Sequence, residues 1–178
     1  MARDGDRLIR FFDGGVDDDG RRLEEILRWD DMRLEMVHDY IQWLFPLPEA
    51  SGANPRAPML HERSIATIRG DAAMQRRLRA AFERMLEFYG FVREGDRVVE
   101  GPRFAKASQN WLHAGNHNHL RLSRMLRSLR VLGMNDEATA LWEALRSVHE
   151  REIAAGRRVI TAETFGFWRR AATAPLED

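Results

Sequence analysis

The stretch from residue 116 to residue 133 constrains the fold more than any other part of this chain of 178 residues. Apolar side chains recur in it with helical spacing and fall on one stripe about 120° wide, at about 100° per residue. These side chains are Leu122, Met125, Leu126, Leu129 and Leu132. Asn116 is a favourable N-cap, and Gly133 suits a left-handed C-terminal cap. The pattern predicts an amphipathic helix whose apolar face packs against other helices.

The first turn of this helix is polar. A helix N-terminus offers unpaired N–H groups and the positive end of the helix dipole, so a carboxylate or phosphate binds well there. Asn118 falls on the apolar stripe, where an unpaired amide costs about 1–3 kcal/mol. We therefore expect the Asn118 amide to bond to another segment of the chain or to a ligand. We expect this polar N-terminal turn either to bind an anionic group or to be filled internally by Asp39, Glu35 or the loop of residues 46–58. Its residues are Asn116, His117, Asn118 and Arg121.

A second predicted helix runs from about residue 31 to residue 45 and stops at Pro46. Its apolar stripe consists of Leu34, Val37, Ile41, Leu44 and Phe45. His38 falls on this stripe, which indicates either a hydrogen-bonded core histidine or an imidazole that faces a ligand. Tyr40 and Trp43 lie off the stripe, where two large aromatic side chains indicate a second packed face or a pocket wall.

The fold expected from these periodicities is an all-α array of about six to seven helices that forms a single domain over residues 1–178. A small β-hairpin is expected near residues 91–100, because Glu94-Gly95-Asp96 separates two short β-prone runs. The segments 1–20 and 173–178 are expected to be peripheral or partly disordered.

The composition excludes several classes of function. The 28 basic and 28 acidic residues balance, so the chain has no overall attraction to nucleic acid. The lack of cysteine excludes disulfides, thiolate metal sites and cysteine nucleophiles. No apolar run approaches the roughly 20 residues of a membrane span, and the first residues lack the apolar core of a secretion signal. We therefore expect a soluble, cytoplasmic protein that has no nucleic-acid partner.

The six histidines raise the question of a metal or haem site. In a helix, the side chains of His117 and His119 point about 200° apart, so the two cannot bind one ion. In the alternative interpretation, the chain is an enzyme or a metal/haem-binding protein. It would then hold the metal or haem through His38, His117 or His119. No nucleophile elbow, phosphate-binding glycine loop or dinucleotide fingerprint is present. We therefore assign no catalytic residue, metal ligand or cofactor.

Two segments resemble the conserved domain of the opioid growth factor receptor family. The first is residues 38–47, which include the run Tyr40-Ile41-Gln42-Trp43-Leu44-Phe45-Pro46, and the second is residues 116–129. Residues 85–90 are also similar, and the resemblance covers about residues 25–170. It implies kinship with animal receptors described as binding an enkephalin pentapeptide and as linked to nuclei and growth control. Those receptors carry long additional C-terminal regions, so we expect their signalling role not to extend to this chain.

We interpret the chain as a non-catalytic domain that binds a peptide, a small anionic ligand or a protein partner. The two polar segments are expected to meet across one cleft. The expected ligand-binding residues are His38, Asp39, Tyr40, Gln42, Trp43, Asn116, His117, Asn118 and Arg121. For an enkephalin, Asp39 offers a carboxylate to the amine, and Tyr40 and Trp43 offer a slot for the tyrosine. The remaining alternative makes both motifs purely structural, with no small-molecule site.

Overall fold

The computed structural model describes residues 4–52 and 54–175 of the chain. In this part the protein forms ten α-helices and one two-stranded antiparallel sheet. The helical class and the small hairpin predicted from the sequence are therefore confirmed. The helices outnumber the six or seven expected, because several of them are short turns of four to six residues. No helix in the described part has both the length and the apolar character needed to span a membrane.

The chain divides into two compact units, Met1–Arg84 and Met85–Asp178. The helices that begin in the first unit are α1 (Asp4–Phe12), α2 (Leu23–Leu27), α3 (Asp31–Met36), α4 (Tyr40–Leu44), α5 (Glu62–Gly70) and α6 (Ala72–Tyr89). The second unit contains β1 (Phe91–Glu94), β2 (Arg97–Glu100), α7 (Phe104–Ala107), a short 3-10 helix (Ser108–Asn110), α8 (Asn118–Val131), α9 (Asn135–Ala154) and α10 (Ala162–Thr173).

The core of the first unit begins with α1, which packs against α5. Leu8, Phe11 and Phe12 of this helix are fully buried, and the Phe11 ring lies 5.3 Å from the ring of Trp43. The described part of the segment 1–20 thus supplies core side chains, although the sequence led us to expect a peripheral segment. The difference arises because these three apolar side chains form one buried face of α1. Residues 1–3 and 176–178 lie outside the described residues.

The helix predicted over residues 31–45 is divided into α3 and α4. Val37 adopts an extended conformation (φ −91°, ψ 130°), which ends α3. The Tyr40 hydroxyl donates a hydrogen bond of 3.0 Å to the carbonyl oxygen of Leu34 and so links the two short helices. This break rotates the second half of the segment, so that Tyr40 is buried in the core and His38 is exposed.

In the second unit, α8 packs against α9 and α10, and β2 packs against α9. The predicted apolar stripe of α8 is confirmed, because each of its five side chains is fully buried. Gly133, at φ +87°, ends this helix as predicted, and the Met134 N–H donates to the carbonyl of Leu129. The burial of the stripe fixes which side of α8 its polar residues occupy.

Gly90 makes the sharp turn between α6 and β1. Its φ is +88°, and a Cβ atom at this position would lie 2.6 Å from the Cα of Phe104. Its carbonyl oxygen accepts a hydrogen bond from the N–H of Gly101, where the chain leaves β2. Glycine is required here both for the left-handed backbone and for the close approach of α7.

Candidate functional site

Four of the residues expected to bind a ligand line one recess of about 340 Å³ in the first unit. We call it the Gln42 recess. Its lining residues are Asp18, Asp19, His38, Asp39, Gln42, Trp43, Asn54 and Arg56. The break between α3 and α4 brings His38, Asp39 and Gln42 to this surface. The volume is near the lower end of the range of small-molecule pockets, roughly 300–1,000 Å³.

One arginine organises the acidic side of the Gln42 recess. Arg21 donates two hydrogen bonds to the carboxylate of Asp39, at 3.1 and 2.9 Å, and one of 2.6 Å to Asp17. It also forms an ion pair with Asp19 at 3.1 Å. The Asp17 side chain is fully buried and accepts the backbone N–H groups of Asp19 and Arg21. Three carboxylates therefore share one guanidinium group.

The two carboxyl groups at the rim of the recess have opposite pKa shifts. Burial raises the pKa of Asp39, but the hydrogen bonds from Arg21 and Asp19 outweigh burial and bring this pKa below its ordinary value. The hydrogen bond with Asp39 raises the pKa of Asp19 above its ordinary value, although the charge of Arg21 opposes this. Asp39 is therefore held as an anion, whereas Asp19 is the carboxyl group that takes up a proton first.

Gln42 is the unusual residue of the recess. Its side chain is only 6% exposed, and its Oε1 atom is buried without a hydrogen-bond partner among the described residues. A buried acceptor without a donor costs about 1–3 kcal/mol. Gln42 lines the recess, and rotation about χ3 of glutamine has a broad, low-energy profile, so its amide can turn at small cost. The amide is therefore available to a donor that enters from outside.

The two aromatic residues of the segment have different positions. Trp43 lines the recess and packs against Phe11, and the Arg7 guanidinium lies 5.2 Å from the centre of its ring. Tyr40 is fully buried, and its ring meets that of Trp29 edge to face at 5.6 Å. Because its hydroxyl is bonded to Leu34, Tyr40 is a core residue in this structure.

The second expected group lies in the second unit, around the start of α8. Asn116 accepts the backbone N–H of Asn118 at 2.8 Å, and its own amide donates to the carbonyl of Asn110. The Asn118 oxygen accepts hydrogen bonds from the Tyr89 hydroxyl (3.4 Å) and from Arg121 (3.3 Å). Asn118 is fully buried and Arg121 is 5% exposed. The expectation that Asn118 bonds to another segment is confirmed.

His119 joins this group, although the sequence offered it only as a possible metal or haem ligand. Its Nε2 atom lies 2.8 Å from the carbonyl oxygen of Trp111, which can only accept, so Nε2 carries the proton. The Nδ1 atom is buried and has no hydrogen-bond partner among the described residues. Burial lowers the pKa of His119. Trp168 packs edge to face on the imidazole and donates its indole N–H to the His119 carbonyl.

His117 is exposed at the N-cap of α8. Within the described part of the chain, no three histidine, aspartate or glutamate side chains are grouped so that they could hold a metal ion. The two groups of expected residues belong to different units, and the cleft expected between them stays a prediction.

The sequence reasoning missed five residues of the first site: Asp18, Asp19, Arg21, Asn54 and Arg56. The run Asp17-Asp18-Asp19 is typical of an acidic turn before a helix, and this pattern alone does not indicate a ligand site. Asn54 and Arg56 belong to a proline-rich loop at residues 46–58, whose path the periodicity of helices and strands does not predict. The signal that would have found Arg21 is its position two residues after the acidic run, where it can neutralise several carboxylates.

Two other recesses lie in the second unit. One of about 950 Å³ lies between β2 and α9, and several of its charged side chains are paired with each other, as Arg146 is with Glu143 and Glu150. The other, of about 750 Å³, lies between the end of α9 and the start of α10. Neither recess is lined by a residue that the sequence indicated as a ligand contact.

Comparison with known proteins identifies close similarities. Residues 10–168 match the family model of the opioid growth factor receptor conserved region. The human opioid growth factor receptor is 42% identical over 133 residues, which cover 71% of this chain and 18% of that protein. The mouse opioid growth factor receptor-like protein 1 is 36% identical over 124 residues, covering 65% of this chain and 25% of the relative. The chain thus spans about a fifth to a quarter of these relatives. No solved structure matches it.

Proposed function

Since this chain belongs to the opioid growth factor receptor family through the conserved region at residues 10–168, we propose that it is a non-catalytic binding domain whose ligand site is the Gln42 recess. The human relative is named a receptor and the mouse relative a receptor-like protein, and a receptor binds a ligand. The growth factor in those names is the ligand named for the relatives, and we do not assign it to this chain. For this chain, the proposed ligand is one that fits into the Gln42 recess of about 340 Å³. It is either a small molecule or a side chain of a partner protein.

The observation that carries this proposal is that the Oε1 atom of Gln42 has no hydrogen-bond partner among the described residues. Nearly all buried polar atoms in proteins have a hydrogen-bond partner, so an exception points to a missing donor. This exception lies at a recess that also exposes the carboxylate of Asp39. A fold that only needed a stable core would gain from an apolar side chain at position 42.

The charge state of Asp39 supports binding in preference to catalysis. A general base works best when its pKa is close to the working pH. Arg21 and Asp19 hold the pKa of Asp39 below its ordinary value, so this carboxylate is a weak base and a permanent negative charge. It is therefore suited to attract and orient a ligand.

A fragment screen by NMR on the ¹⁵N-labelled full chain tests this proposal. The indole N–H of Trp43 reports on the recess, and the indoles of Trp111 and Trp168 are internal references, because they donate to Tyr89 and His119 in the second unit. We expect bound fragments to shift the Trp43 and Gln42 signals and leave both references in place. Fragments that bind only elsewhere, across a diverse library, would overturn the proposal.

A further inference from the structure

The recess of about 750 Å³ between the end of α9 and the start of α10 differs in character from the Gln42 recess. We call it the Phe165 recess. All of its lining residues belong to the second unit. Four residues of α10 line it at positions i, i+3, i+4 and i+7, which lie on one helix face. They are Ala162, Phe165, Gly166 and Arg169.

The walls of the Phe165 recess are largely apolar. The Phe165 ring stacks on the imidazole of His149, with 4.0 Å between the ring centres, and lies 5.2 Å from the ring of Trp142. Ile160 is buried beside them, whereas Ile153 is 48% exposed. A ligand that covers Ile153 would remove apolar surface from water, which favours binding of an apolar group.

The charge that lines the Phe165 recess is positive. Arg158 and Arg169 are exposed at it, and none of its lining residues is acidic. Neither guanidinium forms an ion pair in the part of the chain that the structure describes. The neighbouring Arg157, by contrast, pairs with Glu152 at 2.6 Å. The recess therefore offers two positive charges that have no internal counter-charge among the described residues.

His149 adds an aromatic surface to the recess and no charge. Burial lowers its pKa, so the imidazole is neutral at neutral pH. Its Nδ1 atom is buried and has no hydrogen-bond partner among the described residues. Thr161, the N-cap of α10, also lines the recess, so the positive end of this helix dipole lies beside the two arginines. The site thus combines apolar walls with a purely positive rim.

We propose that the Phe165 recess binds a small carboxylic acid with an apolar body. Its carboxylate pairs with the guanidinium groups of Arg158 and Arg169, and its body lies against Phe165 and Ile153. A guanidinium matches a carboxylate with two parallel hydrogen bonds. The apolar walls would leave an inorganic anion without contacts for most of the recess. The body is either an aromatic ring or a short hydrocarbon chain. This site is separate from the Gln42 recess, and neither proposal depends on the other.

The test is an NMR titration of the ¹⁵N-labelled full chain at constant ionic strength with 3-phenylpropionate, 3-phenyl-1-propanol and propionate. The backbone amides of Gly156 and Gly166 report on the recess, and the Gly133 amide and the Trp43 indole are references outside it. We expect saturable shifts at both reporters with 3-phenylpropionate only, weakened by added salt. Octanoate then distinguishes a chain from a ring, and the acid that binds more tightly identifies the body.

Two charge variants locate the carboxylate. Arg158→Gln and Arg169→Gln each remove one guanidinium from an exposed position, where the fold tolerates the change. We expect each to weaken 3-phenylpropionate binding about tenfold, the effect of losing one charge-assisted hydrogen bond. Arg170→Gln is the matched control on the same helix. Its guanidinium lies 4.7 Å from the ring centre of Phe167, outside the recess, so binding should be unchanged.

A third variant locates the apolar body. Ile153→Ser replaces an exposed side chain of the wall, and we expect it to weaken binding about fivefold because less apolar surface is buried. The matched control is Leu120→Ser, which changes another exposed apolar side chain of the second unit, on α8, and should leave binding unchanged.

Four outcomes overturn the inference. The first is an equal response to 3-phenylpropionate and 3-phenyl-1-propanol, and the second is binding of propionate or inorganic phosphate as tight as that of 3-phenylpropionate. The third is unchanged binding in both Arg158→Gln and Arg169→Gln. The fourth is a shift of the Gly166 amide with protein concentration alone, which would assign the recess to a second copy of the chain. None of these outcomes involves the Gln42 signals, so the proposed function stands or falls by its own test.

Discussion

Asp39 and Arg21 lie 18 residues apart in the chain and are joined by two parallel hydrogen bonds. The pair fastens the start of α4 to the acidic turn that precedes α2. Because Arg21 also neutralises the buried Asp17 carboxylate, it serves both the stability of the first unit and the charge of the recess. Removing it should therefore change two independent observables.

We predict that Arg21→Gln destabilises the protein by about 2–4 kcal/mol, since breaking a largely buried ion pair leaves a carboxylate without its counter-charge. The pKa of Asp39 should rise in the variant, because the hydrogen bonds and charge of Arg21 that lower this pKa are lost while burial still raises it. Chemical denaturation measures the first effect, and carboxyl ¹³C NMR titration measures the second. Arg28→Gln, a change at an exposed arginine, is the control. An unchanged Asp39 pKa in Arg21→Gln would show that the pair is not formed in solution.

His119 predicts a dependence of stability on pH. Burial lowers its pKa in the folded state, whereas in the unfolded chain its pKa is about 6.5. Below pH 6.5 the imidazole therefore binds a proton in the unfolded state but stays neutral in the folded state. The free energy of unfolding falls as the pH decreases from about 6.5, until the pH reaches the pKa of the folded state. Burial lowers the pKa of His149 as well, which acts in the same direction.

The variant His119→Gln tests this assignment. We expect it to be less stable than the parent at pH 7.5, because a packed imidazole is lost, and to lose less stability between pH 7 and pH 5. Urea denaturation at several pH values measures both quantities. The carboxyl groups with lowered pKa values, such as Asp39 and Glu152, lose their contribution at more acidic pH and do not obscure this window. Equal pH slopes for parent and variant would contradict the assignment.

Gly90 gives a prediction about backbone geometry. Gly90→Ala must accept a left-handed backbone, at about 1–2 kcal/mol, and must also displace Phe104, for which overpacking costs about 1–3 kcal/mol more. Gly156→Ala is the matched control, because Gly156 has φ +74° and, in the described part of the chain, no atom beyond its chain neighbours lies within 4 Å of the added Cβ. The midpoint temperature of thermal denaturation should be clearly lower for Gly90→Ala than for Gly156→Ala. Equal losses would mean that the approach of Phe104 is looser than the structure has it.

A substitution at Tyr40 distinguishes a structural role in the core from a role in ligand binding. Tyr40→Phe removes the buried hydrogen bond to Leu34 and should cost about 0.5–1.5 kcal/mol of stability. Since the Tyr40 side chain is fully buried, occupation of the Gln42 recess should be unaffected. Denaturation and the fragment titration, run on the same sample, check both parts. A loss of binding without a loss of stability would return Tyr40 to the ligand site expected from the sequence.

Much of the fold could be predicted from periodicity. The stripe from Leu122 to Leu132 specifies α8 because a helix with one apolar face has one stable orientation against a core. The turn at Gly95 separates two short β-prone runs and so predicts the hairpin. The break at Val37 could not be predicted, because the stripe of residues 31–45 continues through it. Tertiary packing of Tyr40 and Trp43 overrides the local helical pattern there.

The candidate site was less predictable than the fold. His38, Asp39, Gln42 and Trp43 were found because polar and aromatic residues near an apolar stripe need a special environment. The acidic turn and the loop that contains Asn54 lie far from them in sequence or outside regular structure. Which loop closes a recess depends on the path of the chain, and no local pattern encodes it. That the Gln42 Oε1 atom has no partner in the described part of the chain is visible only in three dimensions.

The measurement that tests the central claim most directly is a crystal structure of the full chain with a fragment that shifts the Trp43 and Gln42 signals. The account predicts the fragment in the Gln42 recess, with a donor at hydrogen-bond distance, about 2.7–3.2 Å, from the Gln42 oxygen. A recess without the fragment, at concentrations that saturate the NMR shifts, would contradict it, as would a fragment bound to another surface.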